Sequence, residues 1–431
     1  MQYEALNFYG QNLVGTEGAD WKRHRKVAKP AFNEAGNAFV WMETIRVINE
    51  WFMELDAVPV KRNTDAIAID VVKDLVQVAL LVISSAGFGR RASWQEDSTT
   101  TPPSGHKFAF RHAVTSATEH IHAKVLTPDW MYHFPNACIS LHRAHFERHE
   151  GGLRCFEGPH VGSNITIPRL GVGGKVSNMD AGLLRNLVEA NMMQEDDMHS
   201  TKSLTDDELL STPFFAIALL ALHPDVQNKI YEEALRLWPN AFPTTASASS
   251  YKDSMPNLQY TLAAFYETIR LFPPVIRLCK IAQADAHLTA HRFARNAKGE
   301  IANVEAFPVP VSAGSMVMID IRGLGRNPMY WGSDCEDFKP ERFVDTDSYR
   351  WPRDAFVSFS AGPRNCIGQR FATTESVCAL ASLVRNYEIL IPDNLKGKSL
   401  DEQKASLLKW KPGATIVPTD CFVQLRRRPS V

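Results

Sequence analysis

The amino-acid sequence predicts a mainly α fold with a small β-sheet. Apolar residues recur at helical spacing in one segment after another, while strand-like runs are short and gather after residue 275. The third observation is a cysteine, Cys366, in a loop that opens directly into a helical pattern. The 431 residues allow one large domain or several smaller ones, and a single domain over 1–431 is the expectation. Composition is ordinary for a soluble globular protein, with 45% hydrophobic and 22% charged residues and a net charge of −1. That balance argues against a nucleic-acid binder, so an electrostatic partner must meet a local patch.

Seven cysteines, at 138, 155, 279, 335, 366, 378 and 421, form no Cys-x-x-Cys pair. An odd number without that spacing argues against a disulfide framework or zinc ribbon and for a reducing compartment. No run of 18 apolar residues is present, so no transmembrane helix is expected. Residues 1–18 are polar and lack the apolar core of a signal peptide.

Residues 21–29 read as a helix that ends near Pro30. Trp21 and Arg25 stand at i and i+4 and share a face. Lys22, Lys26 and Lys29 form a second stripe, which on charge alone is a solvated face. Segments 38–52 and 64–86 read as helices. The second turns Ile67, Val71, Leu75, Val78 and Val82 to one side and stops at Gly87. Residues 99–105 are a Thr/Pro loop and 107–125 a helix carrying His112, His120 and His122. His142, His145 and His149 lie at i, i+3, i+7, and since no carboxylate or cysteine obviously completes a metal site with them they read as surface histidines.

Residues 151–182 break the pattern with eight glycines and one strand-like piece at 164–167. They read as sequence foreign to the fold, such as a translated intron, rather than as a functional loop. A helix resumes at 183–193, and 203–210 looks like a capped helix start with acids in its first turn. Pro213 follows; inside a helix a proline costs about 3 kcal/mol. Residues 225–238 form an amphipathic helix, 241–257 a polar loop, and 258–271 a helix with Glu267 and Arg270 at i, i+3. Spacing alone makes that pair a surface ion pair worth about 0.3 kcal/mol. Residues 275–282, 309–311, 315–320, 415–417 and 421–425 read as short strands of one minor sheet, and 327–343 as an irregular meander.

The distinctive stretch is Phe359-Ser360-Ala361-Gly362-Pro363-Arg364-Asn365-Cys366-Ile367-Gly368. Beyond it Phe371, Val377, Cys378, Leu380, Leu383 and Val384 keep helical spacing. Unpaired N–H groups and the macrodipole at that helix start favour an anion, so the Cys366 thiol loses its proton more easily. The thiolate is the form that binds metal. Gly362 permits a tight turn and Pro363 stiffens it, while Gly368 has no Cβ to hold off a flat macrocycle. Arg364 is within reach of a haem propionate, and Phe359 is placed to cover the sulfur. These neighbours suit a thiolate holding haem iron, which favours O–O cleavage. Without them, Cys366 would read as a buried, inert cysteine.

The stretch resembles the haem-binding signature of the cytochrome P450 family, Phe-x-x-Gly-x-Arg-x-Cys-x-Gly, at all five specified positions. Segment 82–91 is most similar to the family's fungal members. The resemblance implies a P450-like fold, incomplete here, that begins after the membrane anchor and first sheet usual in eukaryotic members. It implies a haem-thiolate monooxygenase at the cytosolic face of the endoplasmic reticulum membrane. One atom of O2 enters a small apolar organic substrate, and electrons come from an NADPH-dependent flavoprotein reductase. Cys366 becomes the axial iron ligand and catalytic residue. Arg364, Trp21 and Arg25 become propionate partners, with Arg277 or Lys280 as further candidates. Glu267, Arg270 and Arg342 match the family's buried Glu-Arg-Arg cluster, whose bidentate pairing pins the loop leading to Cys366. The lysine stripe is expected to receive the reductase.

The family also carries an acid and an alcohol on a central helix of about 30 residues, or ~45 Å. Here 210–221 is too short for it, and Thr212 with Glu208 is the one acid–alcohol pair nearby. Two expectations follow: a weakly coupled monooxygenase, or a non-catalytic or defective haem-binding protein.

Overall fold

The computed structural model describes residues 13–58, 65–89, 91–98, 212–244, 249–297, 301–412 and 415–429. The Thr/Pro loop, the histidine sets, the glycine-rich segment 151–182 and the helices expected over 107–125, 183–193 and 203–210 lie outside those residues. The described residues fall into two compact units, 13–54 with 76–98, and 55–75 with 212–429.

In the first unit, helix α1 (Gly18–Ala28) passes into a 3-10 turn at Lys29–Ala31, where Pro30 has no N–H to continue it. Asn33 accepts from the Gly36 N–H at 2.8 Å and caps α2 (Glu34–Ala57). A Cβ on Gly36 would stand 2.6 Å from the Ala31 carbonyl oxygen, so glycine is required at this entry. Along α2, Val40, Trp41, Ile45, Ile48 and Trp51 are buried, three or four apart apart from one adjacent pair. Helix α3 (Val71–Phe88) adds Gln77, whose side chain donates to the Trp94 carbonyl at 2.9 Å. Trp94 opens α4 (Trp94–Ser98) and stacks on Trp51 with centroids 6.1 Å apart.

The helix expected over 64–86 is corrected at both ends. Ala66–Asp70 is strand β1, with Ile67 and Ile69 two apart. The Asp70 carboxylate then accepts from the N–H groups of Val72 and Lys73 at 3.1 and 3.2 Å, which starts α3 at Val71. Gly87 does not stop α3, which runs on to Phe88.

The second unit has a helical core. Helix α5 (Thr212–Leu222) is apolar all round, and Phe214 to Leu222 are all buried. Helix α6 (Pro224–Leu237) follows at once. Its Gln227 donates to the carbonyls of Leu220 at 3.0 Å and Ile389 at 2.9 Å, and accepts from the Ile389 N–H at 2.8 Å. One buried amide thus ties two helices to a strand. The polar loop expected over 241–257 contains α7 (Tyr251–Ser254) and a 3-10 turn, with the buried Ser249 and Ser254 hydroxyls 2.9 Å apart. Helix α8 (Gln259–Leu271) follows, and Phe272 at its end stacks on Phe215 of α5 with centroids 4.4 Å apart. Short helices α9 (Ile321–Gly325) and α10 (Pro328–Trp331) precede α11 (Gln369–Asn386), which is buried along almost its whole length. Helix α12 (Leu400–Leu407) starts from a Ser399–Glu402 capping box.

The strands do not make one minor sheet. Strand β9 (Phe422–Arg427) lies between β1 and β6 (Tyr387–Leu390). Among the described residues strand β2 (Arg277–Ile281) pairs with β5 (Met316–Asp320) alone, and β7 (Trp410–Pro412) with β8 (Ile416–Pro418). Strand β3 (Ala286–Arg295) pairs with β4 (Ile301–Val311) as a long ribbon, of which only 309–311 was expected. Most of its residues are exposed on both faces, so no apolar alternation marks it in the sequence. No helix among the described residues is long and apolar enough to cross a membrane.

Candidate functional site

The site rests on α8. Glu267 and Arg270 face inward, and their side chains are fully buried. Arg270 donates to both Glu267 oxygens, at 2.6 and 2.8 Å, in a bidentate pair. Its remaining N–H groups reach the carbonyls of Gly325, Cys335 and Asp337. Glu267 also accepts from the Lys339 main-chain N–H at 2.8 Å. Arg342, in the 3-10 turn Pro340–Phe343, sets its Nε 3.5 Å from Glu267 and its Nη2 2.6 Å from Asp334, and donates to the Trp331 and Asp334 carbonyls. Glu267, Arg270 and Arg342 are therefore brought together, and they lace the meander 325–342 onto α8. Burial pushes the Asp334 carboxyl up, but Lys339 and Arg342 outweigh it and bring it down to about 2.

Three neighbours went unread in the sequence. A Cβ on Gly325 would lie 2.5 Å from the Arg270 carbonyl, so only glycine lets α9 approach α8. Tyr266 packs on Phe356 at 5.2 Å, Phe343 at 5.6 Å and Phe359 at 6.5 Å between centroids. Burial pushes the Tyr266 hydroxyl up, against hydrogen bonds with Gln369 and Thr373 of α11. The Ser358 hydroxyl donates to the Ile269 carbonyl at 2.9 Å. Cluster, aromatics and Ser358 together carry the chain from α8 to the cysteine loop.

That loop closes on itself. The Cys366 N–H donates to the Phe359 carbonyl at 2.8 Å, and Asn365 N–H to Gly362 at 3.0 Å. Gly362 takes φ +73°, the turn for which glycine suits, and Ser360 also sits at positive φ, 61°. Arg364 ends the 3-10 turn Gly362–Arg364 and is half-buried. Gly368 precedes the first residue of α11. Among the described cysteines Cys366 is the one partly exposed, while Cys279, Cys335, Cys378 and Cys421 are buried. Burial pushes the Cys378 thiol far up and the Cys421 thiol up to about 12. A metal ligand must be both ionised and reachable, which disfavours those two.

In α1 of the first unit, the Arg25 guanidinium lies 5.6 Å from the centre of the Trp21 ring, and both residues are half-buried. Between them His24 is buried with no hydrogen bond at Nε2 among the described residues; burial first, then Arg23, lowers its pKa. Lys22, Lys26 and Lys29 are exposed, as are Arg277 and Lys280 on β2. Glu208 lies outside the described residues. A further missed residue is Glu375 on α11, fully buried, with its carboxyl pushed up by burial to about 8. Its position four after Phe371 and three before Cys378, on the apolar face, was the signal that could have found it.

A mainly α unit that presents one accessible cysteine at the head of a buried helix has the make-up of a thiolate metal site. Residues 207–417 match the family model described as Cytochrome P450. Cytochrome P450 monooxygenase 124 of Postia placenta is 34% identical, over 99% of this chain and 78% of its own. Cytochrome P450 monooxygenase prx9 of Penicillium rubens is 22% identical, over 93% of this chain and 72% of its own. Cytochrome P450 3A31 of Mesocricetus auratus is 34% identical over 50% of this chain and 38% of its own. The chain belongs to the cytochrome P450 family of monooxygenases.

Membership implies haem as cofactor. The residues present fit it: a reachable sulfur before a helix N-terminus, a loop closed by its own backbone, and a guanidinium two residues away.

Proposed function

We propose that the protein is a haem-thiolate monooxygenase that places one atom of O2 into a small apolar organic substrate. Electrons come from an NADPH-dependent flavoprotein reductase, and the working location is the cytosolic face of the endoplasmic reticulum membrane. One observation carries the proposal: among the described cysteines Cys366 is the one left reachable, at the head of α11, in a loop closed by its bond to Phe359. Haem held there supplies O2 activation, which thiolate ligation favours. Cys366 would be the residue that holds the iron, and so the catalytic residue. Arg364 would bind a propionate, a role that the family resemblance also gives to Trp21 and Arg25; Phe359 would exclude water from the sulfur, and Gly368 would leave room for the macrocycle. Glu267, Arg270 and Arg342 hold the loop and do not touch the reaction. The exposed lysines 22, 26 and 29 receive an acidic face of the reductase. The haem-loaded protein, reduced under carbon monoxide, is expected to show the red-shifted band of thiolate ligation, and Cys366→Ala to lose it. A band that survives the substitution overturns the assignment.

One observation favours a second reading, a haem protein with little or no turnover. Helix α5, as described, is eleven residues long and contains no acid to deliver protons. Product formed per reduced nicotinamide consumed separates the two. The expected outcome is weak turnover that releases peroxide, and tight coupling with any apolar substrate would exclude the second reading.

A further inference from the structure

The ribbon of β3 and β4 takes no part in the site above. A two-stranded ribbon is marginal alone in water, and both outer edges of this one are unpaired among the described residues. The two edges differ. Pro308 stands opposite Thr289, and Pro310 opposite His287. Neither proline has an N–H to donate, so those pairs exchange no hydrogen bonds, and the exchange runs through Leu288–Val309 and Ala290–Phe307. Backbone groups at non-exchanging positions point outward. The outer edge of β4 thus lacks its N–H at two successive outward positions, which closes it to a further strand. The outer edge of β3 keeps N–H and C=O at His287, Thr289 and His291.

We propose that the β3 edge pairs with the same edge of a second copy of the chain, giving an antiparallel sheet in the order β4–β3–β3–β4 about a two-fold axis. One open edge and one closed edge make the assembly stop at two, where two open edges would let it grow into a fibre. The axis passes at Thr289. Centring on His291 would run the pairing into the irregularity between Arg292 and Ala294, and centring on His287 would run it off the start of β3 at Ala286. At Thr289 the outward positions match: Thr289 meets the partner's Thr289, and His287 the partner's His291. Threonine opposite threonine is a favourable cross-strand pair. Leu288, which is 47% exposed, meets the partner's Ala290, and Ala286 meets the partner's Arg292. No two arginines face each other. Arg292 keeps its own partners, Glu305 at 3.3 Å and the Phe307 ring at 4.9 Å. A contact confined to 286–292 is small beside the roughly 1,200 Å² of a stable interface, so the dimer depends on concentration.

Sedimentation velocity of the haem-loaded full chain over a hundredfold concentration range tests this. The wild type is expected to shift from the mass of one chain to that of two. Thr289→Pro removes an outward N–H and no bond inside the ribbon, so it is expected to stay monomeric throughout. Thr289→Glu and Thr289→Lys each set like charges against each other across the axis, and each alone is expected to stay monomeric. An equimolar mixture of those two variants is expected to dimerise. A wild type that stays monomeric, or a dimer unchanged in Thr289→Pro, overturns the proposal. A mixture no more dimeric than its components overturns the register. Thr289 is exposed, so the charge variants decide the matter even where the proline variant folds poorly.

Discussion

Glu267 on α8 and Glu375 on α11 are both buried in the second unit, on helices that pack together. Glu267 is met by the Arg270 fork, by a main-chain N–H and by Arg342. Against Glu375 no cation stands among the described residues, and burial alone pushes its carboxyl to about 8. One carboxylate is met by two guanidinium groups and a main-chain N–H, and those contacts gather a meander. The other gives up its charge at neutral pH inside the buried α11. Burial does not set the state of an acid; what it is buried against does.

Arg270→Ala should break this contrast most severely. It leaves Glu267 buried without its bidentate partner and three carbonyls without a donor, at an expected cost of about 3–5 kcal/mol. Denaturant unfolding measures it, and the thiolate band with carbon monoxide should weaken in parallel as the loop loosens. A loss no larger than that of an exposed pair would show that Arg270 does not hold the meander.

Glu375→Gln should act in the opposite direction. The folded chain keeps a proton that the unfolded chain releases, so wild-type stability falls as pH rises from 4.5 toward about 8 and then levels off. The amide has no such proton. Its advantage over wild type should therefore grow across that window, reaching about 4 kcal/mol at its upper end. Melting temperatures at successive pH values check this, and a constant difference would mean that Glu375 is ionised in the fold.

Glu43→Gln in the first unit sharpens the comparison with a smaller effect. Glu43 is buried, and burial pushes its carboxyl up, but Arg91 and Arg46 outweigh that and hold it below the usual range. Arg91 is 64% exposed and Arg46 also binds Glu50 at 2.6 Å, so both cations have somewhere to go. The expected loss is about 1–2 kcal/mol at neutral pH. A depressed carboxyl stabilises above the usual carboxylate range and loses that contribution as pH falls through its own pKa. The gap between variant and wild type should therefore close in acid; if it persists there, the ion pairs are not its source.

The cysteine loop was legible because its chemistry is local. Ten consecutive residues contain the turn, the thiol and the residue that caps α11, and no distant contact is needed to form them. Residues 66–70 were misread because an apolar pattern permits helix or strand, and the choice fell to pairing with β9, more than 350 residues on. Glu267 and Arg270 were legible as a pair, yet i, i+3 spacing is the same on a solvated face as in a core. Only α9, α10 and the turn at Arg342 wrapping over them removed the water. The ribbon escaped notice for the converse reason, since a strand exposed on both faces has no alternation to read.

By itself the sequence determined the helical class, the thiolate loop and the residues that cap and break the elements, because those follow from neighbours within one or two turns. Tertiary structure decided what each buried carboxylate is buried against, how the described strands divide into four sheets and which edge of the ribbon is open. Each of those depends on groups brought together from far along the chain, where desolvation and pairing, not spacing, set the free energy.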